Sequence, residues 1–382
     1  MRVVSVQSNA LQPDHRDKIS DLLRLAFNSN VHDRNTRAIT PRRYHPERSN
    51  VVLLLDDDSP VAFALTIKRS IRFPQVRVPF LSVGPFAVSP DYQGQGLGRE
   101  LLSAVLAGAR NEGCSGLYLQ GIPDFYSRQG FLPCRTRSRL EIELNSLQPT
   151  RQAVVRKMNA KDLSAVAALY EAQAQLNSGT ALRDKNVWQW LLNFASKSYY
   201  FLEPQVIEID GKIIGYFTND FSDTSRIREA VCVQEEETAL IYLSALADFV
   251  RSHGDDSSRL HVMNPQNLVL HRVLSHSLSG EFVFQVSQNR GQLMHLLEPT
   301  ALLSKVVASC LGESDPTVVV RGKWLQVQDP NGVVQVEVLG DSLHHLLLGS
   351  GADQRSVRGA LAPKLIDTFT KWNPFIYQGD NL

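Results

Sequence analysis

The chain has 382 residues, 43% of them hydrophobic, with 40 Lys and Arg against 39 Asp and Glu and a formal net charge of +1. That length supplies cores for two or three domains, and near-neutral charge removes any global electrostatic case for nucleic acid or an anionic membrane surface. No apolar run approaches the ~18 residues of a membrane span, and the scattered Cys114, Cys134, Cys232 and Cys310 indicate neither a disulfide framework nor a zinc site, so no metal is expected.

Met1-Arg-Val-Val-Ser-Val-Gln is too short and too polar for a signal peptide; Arg2 to Gln7 is expected as a first strand, in a cytoplasmic protein. Asp14 to Asn28 follows as a helix, and Val51 to Asp56 with Val61 to Ile71 as a hairpin. Val78 to Val88 reads as a buried strand stopped at Ser89-Pro90. Gly94, Gly96 and Gly98 then remove three Cβ atoms from a short loop, so the backbone can bend freely and approach a ligand closely. Leu97, Leu101, Leu102, Val105 and Leu106 recur at helical spacing, which starts a helix at about Gly96 with one face on a sheet. Its first amides lack internal partners, and the helix dipole and Arg99 add positive charge. An anion fits there. Glycines between a strand and a helix also make a plain tight turn, and a lone Gly-x-Gly is a weak signal.

The spacing is neither the dinucleotide fingerprint nor the Gly-Lys-Ser/Thr ending of a nucleoside triphosphate loop. Through Gln93, Gly96 and Gly98 it resembles the Gln/Arg-x-x-Gly-x-Gly/Ala acyl-coenzyme A loop of the GCN5-related N-acetyltransferases (GNAT). Downstream, Gly116 to Gln120 reads as a strand and Pro123-Asp-Phe-Tyr126-Ser-Arg-Gln-Gly130-Phe131 as a short helix ending at a glycine, similar to that family's Tyr-x-x-x-Gly-Phe. The resemblance implies that Phe86, Ala87 and Val88 run beside the cofactor, and that Gln93, Gly94, Gln95, Gly96, Leu97, Gly98 and Arg99 hold its pyrophosphate. It also implies that Tyr126 sits near the thioester sulfur as the general acid.

The last strands of this first unit are expected to run to about Leu144, and Asn145 to Arg151 then breaks the pattern with turn-forming residues. A similar layout begins again: Val154 to Met158 as a strand, Ala160 to Leu176 as a helix, and a hairpin around Asp210-Gly211. Its counterpart of the phosphate loop is Val231-Cys-Val-Gln-Glu235-Glu-Glu237-Thr, before a helix from Ala239 to Arg251. Three carboxylates in place of three glycines oppose a pyrophosphate, although Glu is favoured at a helix start in any case. Glu298-Pro299-Thr300 opens a tail with strands at Val318 to Val320, Trp324 to Val327 and Val333 to Val338, and helices at Asp341 to Gly349 and Pro363 to Trp372.

That order resembles the enhanced intracellular survival (Eis) family, in which two acetyltransferase-like domains precede a sterol carrier protein-like domain. The expected fold is therefore α/β (α+β): tandem GNAT-like mixed-sheet domains followed by a small α+β unit, with bounds 1–148 (catalytic), 152–296 (degenerate) and 298–382. The resemblance implies acetyl-CoA as co-substrate, a small-molecule or peptide primary amine as acceptor, and a homo-oligomer, a hexamer by resemblance alone. It implies too that the C-terminal carboxylate, here on Leu382, is the base, although leucine departs from the aromatic residue with which that family usually ends. The segment Ser29 to Arg48 carries Arg34, Arg37, Arg42, Arg43 and Arg48 against Asp33 and Glu47, with His32 and His45 as alternative bases. If it lines the acceptor cleft it favours an anionic acceptor; otherwise it is a solvated basic loop. An acyl-CoA sensor without turnover, and a lipid carrier using the last domain, remain as other readings.

Overall fold

The computed structural model describes residues 1–27, 49–73, 76–133, 136–194, 204–220, 223–253, 258–263, 269–270, 273–274, 282–288, 292–311, 316–347, 357–363, 365–366 and 373–374. The chain divides into two units, Met1–Arg135 with Leu176–Leu182 and Asn289–Leu382, and Thr136–Gln175 with Arg183–Gln288.

In the first unit the chain runs β1 (Arg2–Gln7), α1 (Pro13–Ala26), β2 (Ser49–Asp56), β3 (Ser59–Phe73), β4 (Val76–Val88), α2 (Leu97–Asn111), β5 (Gly116–Gln120), α3 (Pro123–Ser127) and β6 (Leu132–Pro133). Strands β1 to β4 form an antiparallel meander, and β4 pairs β5 in parallel. Both faces of the sheet are covered, which is why Val51 to Leu55 is apolar throughout rather than alternating. Val51, Leu53 and Leu55 pack with Ile19, Leu22 and Leu23 of α1. Val52 and Leu54 face Leu101, Leu102 and Val105 of α2. Each such buried Leu or Val contributes about 1.5–3 kcal/mol, so α2 is fixed on the sheet by its apolar stripe rather than by helix propensity.

The second unit is built from β7 (Thr136–Glu143), β8 (Val154–Lys157), α4 (Leu163–Ala174), α5 (Lys185–Phe194), β9 (Gln205–Ile209), β10 (Lys212–Asp220), β11 (Asp223–Cys232), α6 (Glu236–Ser252), β12 (Arg259–Met263) and β13 (Phe282–Gln288). Its sheet has the order β8-β9-β10-β11-β12-β7-β13. The β9–β10 turn places Asp210 at φ 48° and Gly211 at φ 77°, the double left-handed pair that an Asp-Gly hairpin turn needs.

The expectation that strands up to Leu144 complete the first unit is corrected here. Strand β7 pairs β12 and β13, and Leu140 and Ile142 enter the core of the second unit. The equivalent place in the first sheet, between β5 and β6, is taken by β14 (Gln292–Leu296), with Leu293 buried beneath α2. The two sheets thus have one plan, and each draws its penultimate strand from the sequence just past the other's edge strand, β7 after β6 and β14 after β13. Leu140 and Ile142 of β7 alternate with polar residues, whereas the adjacent Leu293 and Met294 of β14 are both buried, one in each of two cores.

The first unit continues with α7 (Pro299–Leu311), β15 (Thr317–Arg321), β16 (Trp324–Gln328), β17 (Val334–Leu339) and α8 (Leu343–Leu347). Val357–Arg358 closes a four-stranded sheet against β17. Leu302, Leu303, Val306 and Val307 of α7 pack with Leu325, Val327, Val336 and Val338, and the same cluster takes in Ile71, Phe73, Val78 and Phe80 from the long arms of β3 and β4. Those described apolar residues form one buried cluster. Most of the helix expected at Pro363 to Trp372, and the stretch from Phe375 onward, lie outside the described residues.

Candidate active site

The site begins with a bulge. Thr66 pairs Val83 and Ala64 pairs Phe86, so Gly84 and Pro85 together oppose Leu65, and an extra residue bends a strand. Pairing of β4 with β5 covers only Phe80–Val83 against Gly116–Leu119. Beyond it the strands part, leaving the β5-facing side of Phe86 to Val88 unpaired among the described residues.

Strand alternation fixes which groups face that opening. The Ser89 amide donates to Val61 O at 2.8 Å, so Ala87 also turns its backbone toward β3, while Phe86 and Val88 turn theirs into the opening. The Val88 carbonyl accepts from the Gln93 side-chain amide at 3.1 Å. Of the three strand residues expected to run beside a cofactor, Phe86 and Val88 turn backbone groups into the opening; Ala87 is buried on the α1 side.

At the end of β4, a turn at Pro90–Tyr92 leads into the glycines. Gly94 and Gly96 have φ of 78° and 89°, and a Cβ on either would meet no atom within 4 Å. Backbone conformation, not crowding, requires glycine at both. Gly98 differs: it lies in the first turn of α2, where a Cβ would come 3.4 Å from the Phe125 ring. The amides of Arg99 and Glu100 donate to Gly96 O at 2.9 and 3.2 Å. Among the described residues none supplies an acceptor to the amides of Gly94, Gln95, Gly96, Leu97 or Gly98. Such a run of free N–H groups at a helix start is an anion cradle. Leu97 takes part through its amide alone, since its side chain is core. Gln93 and Arg99 are exposed at the rim.

Across the opening, α3 presents Tyr126, buried in the core with ring centroids 5.9 Å from Phe86, 4.8 Å from Phe125 and 5.5 Å from Phe131. No hydrogen bond engages its hydroxyl among the described residues, and burial pushes the phenol well above its ordinary value. Its seat depends on a residue that pattern reading passes over: a Cβ on Gly121 would lie 2.3 Å from Tyr126 Cε2. His295 of β14 is a second such residue, its Nδ1 2.9 Å from Gly130 O and its ring stacked on Phe131 at 5.1 Å, which ties the displaced strand to the turn behind Tyr126. Leu382, His32, His45 and the arginines between Ser29 and Arg48 lie outside the described residues. No group of three or more His, Cys, Asp or Glu that could hold a metal occurs among the described residues, and no described helix is long and apolar enough to cross a membrane.

Residues 16–131, which span the splayed strands, the loop and Tyr126, match the acetyltransferase (GNAT) family. They form a GNAT acetyltransferase domain. The chain is also 38% identical over 52 residues to an uncharacterized N-acetyltransferase, YjhQ, of Escherichia coli; that match covers 14% of this chain and 29% of the relative. Among solved structures, a GCN5-related N-acetyltransferase from Kribbella flavida covers 99% of this chain and all of its own at 18% identity, with a TM-score of 0.66. One from Anabaena variabilis covers 98% of both chains at 15% identity with a TM-score of 0.66, and Eis1 from Mycobacterium abscessus covers 99% and 100% at 15% identity with a TM-score of 0.64. At those identities the shared feature is the fold, which extends over nearly the whole chain.

Proposed function

We propose that the first unit transfers the acetyl group of acetyl-CoA to a primary amine by direct attack. The observation that carries this is the run of free amides from Gly94 to Gly98 beside a strand whose Phe86 and Val88 amides face the same opening. Acetyl-CoA supplies an activated thioester whose pyrophosphate matches the cradle. The loop amides and the α2 dipole hold that charge. The free amides of β4 are suited to an oxyanion developing on the carbonyl carbon under attack. Tyr126 holds the proton that the departing thiolate requires, and its raised phenol remains protonated through neutral pH. The acceptor amine loses its own proton to a base, for which the sequence candidates all lie outside the described residues.

The second unit is read as non-catalytic. Its loop between β11 and α6 runs only from Val233 to Glu235, with no residue at positive φ, and Glu235, Glu236 and Glu237 are exposed at the helix start. The test is a titration of the full chain with coenzyme A, followed by thiol release from acetyl-CoA in the presence of small-molecule and peptide amines. Binding with amine-dependent thiol release is expected. Binding without release leaves only a sensor, and an absence of binding rejects the reading.

A further inference from the structure

We propose that Tyr92 and Asp56 are positioning residues for the coenzyme loop, holding its amides in the ligand-ready arrangement before a ligand arrives. The inference rests on the coenzyme reading of that loop. The Tyr92 hydroxyl donates to Asp56 Oδ2 at 2.8 Å, and the Tyr92 ring packs half-buried against the core under α2. The other bonds that shape the turn are local: Tyr92 N to Ser89 O at 2.9 Å, Gln93 N to Pro90 O at 3.2 Å, and the Gln95 side-chain amide to Asp91 O at 3.1 Å. Gln93 reaches only the stem from which the loop springs. The Tyr92 phenol instead ties the loop to the β2–β3 turn, itself pinned by Asp57 and Asp58 at φ 45° and 64°. That hydrogen bond raises the phenol above its ordinary value, so the donor keeps its proton through neutral pH.

Electrostatics makes the assignment decidable by sign. A carboxylate beside a diphosphate cradle repels the ligand, so if Asp56 acted only as a charge, removing it would tighten binding. As the anchor of the loop, its removal weakens binding instead.

The full chain is titrated calorimetrically with coenzyme A as wild type, Tyr92→Phe, Asp56→Ala and Asp56→Asn. Tyr92→Phe and Asp56→Ala are each expected to weaken binding about tenfold. The double variant is expected to be no worse than either single one, because the two residues share one bond. Asp56→Asn keeps an acceptor oxygen and removes the charge, and is expected to bind at least as tightly as wild type. In turnover the loss falls on KM for acetyl-CoA, with kcat at saturation retained. Unchanged binding by Tyr92→Phe, tighter binding by Asp56→Ala, or a loss of kcat with KM unchanged overturns the assignment. A wild type without affinity for coenzyme A overturns the coenzyme reading itself, and this inference with it.

Discussion

Two sheets of one plan differ at the mouth where the parallel pair opens. In the first, β4 leaves the sheet through Ser89 to Gly96, two residues at positive φ turn the backbone, and α2 starts with its amides free. In the second, the turn from β11 is cut to Val233 to Glu235, no residue in it takes a positive φ, and α6 begins at once. Two bonds recur in both: the amide just past the strand is paired, Ser89 N to Val61 O at 2.8 Å and Val233 N to Ile214 O at 2.9 Å, and a glutamine side chain donates to the last strand carbonyl, Gln93 to Val88 O and Gln234 to Cys232 O at 3.3 Å. The strand ends are therefore finished alike, and the proposed capacity for an anion rests on the loop that follows. A sheet that opens is not sufficient for a coenzyme site.

The largest effect is expected at Tyr126, on the side of the opening away from the loop amides. Tyr126→Phe is expected to lower kcat by about 10²–10⁴-fold with coenzyme A affinity kept; steady-state rates beside calorimetry check this, and unchanged turnover removes the phenol from the mechanism. Because burial raises the phenol above its usual 10.0, a pH–kcat profile should show no descending limb from Tyr126 below about pH 10; a fall that Tyr126→Phe abolishes at pH 8 would contradict the sign of that shift. Gly121→Ala puts a Cβ onto the Tyr126 ring, and a displaced acid costs roughly a hundredfold in kcat. Combined with Tyr126→Phe it should cost little more. Gly96→Ala acts on the other half of the site: a side chain forced to φ 89° costs about 1–3 kcal/mol, read as a weaker Kd for coenzyme A with kcat at saturation retained. Smallest of all is the change expected from Glu235→Gln, Glu236→Gln and Glu237→Gln together. Relieving the charge without rebuilding the loop should leave coenzyme affinity as it was, and a new binding event in that variant would refute the role given to loop length.

Much of the first unit is legible because its demands are local. Gly94 and Gly96 are required by positive φ, and the α2 stripe of Leu97, Leu101, Leu102 and Val105 by burial, so both stand out from composition and period. Asp210-Gly211 announces its turn for the same reason. What is not legible depends on neighbours remote in sequence. Gly121 resembles any loop glycine until the Tyr126 ring is seen in its missing Cβ position. The Tyr92–Asp56 bond joins residues on different elements with no shared pattern. Above all, Thr136–Glu143 follows β6 directly and is the natural expectation for the first sheet, which instead uses the distant Gln292–Leu296.

The displaced β14 has a temporal consequence during synthesis. Strand β5 emerges with one edge bare, and the segment that covers it is made only after the entire second repeat. At ~5–20 residues per second that interval is on the order of ten seconds or more, during which the nascent sheet presents an unpaired edge to the cell. Completion of the first sheet is thus scheduled by its own downstream neighbour, and a chain that ends between residues 100 and 291 has every residue of the glycine loop and no finished sheet to hold it.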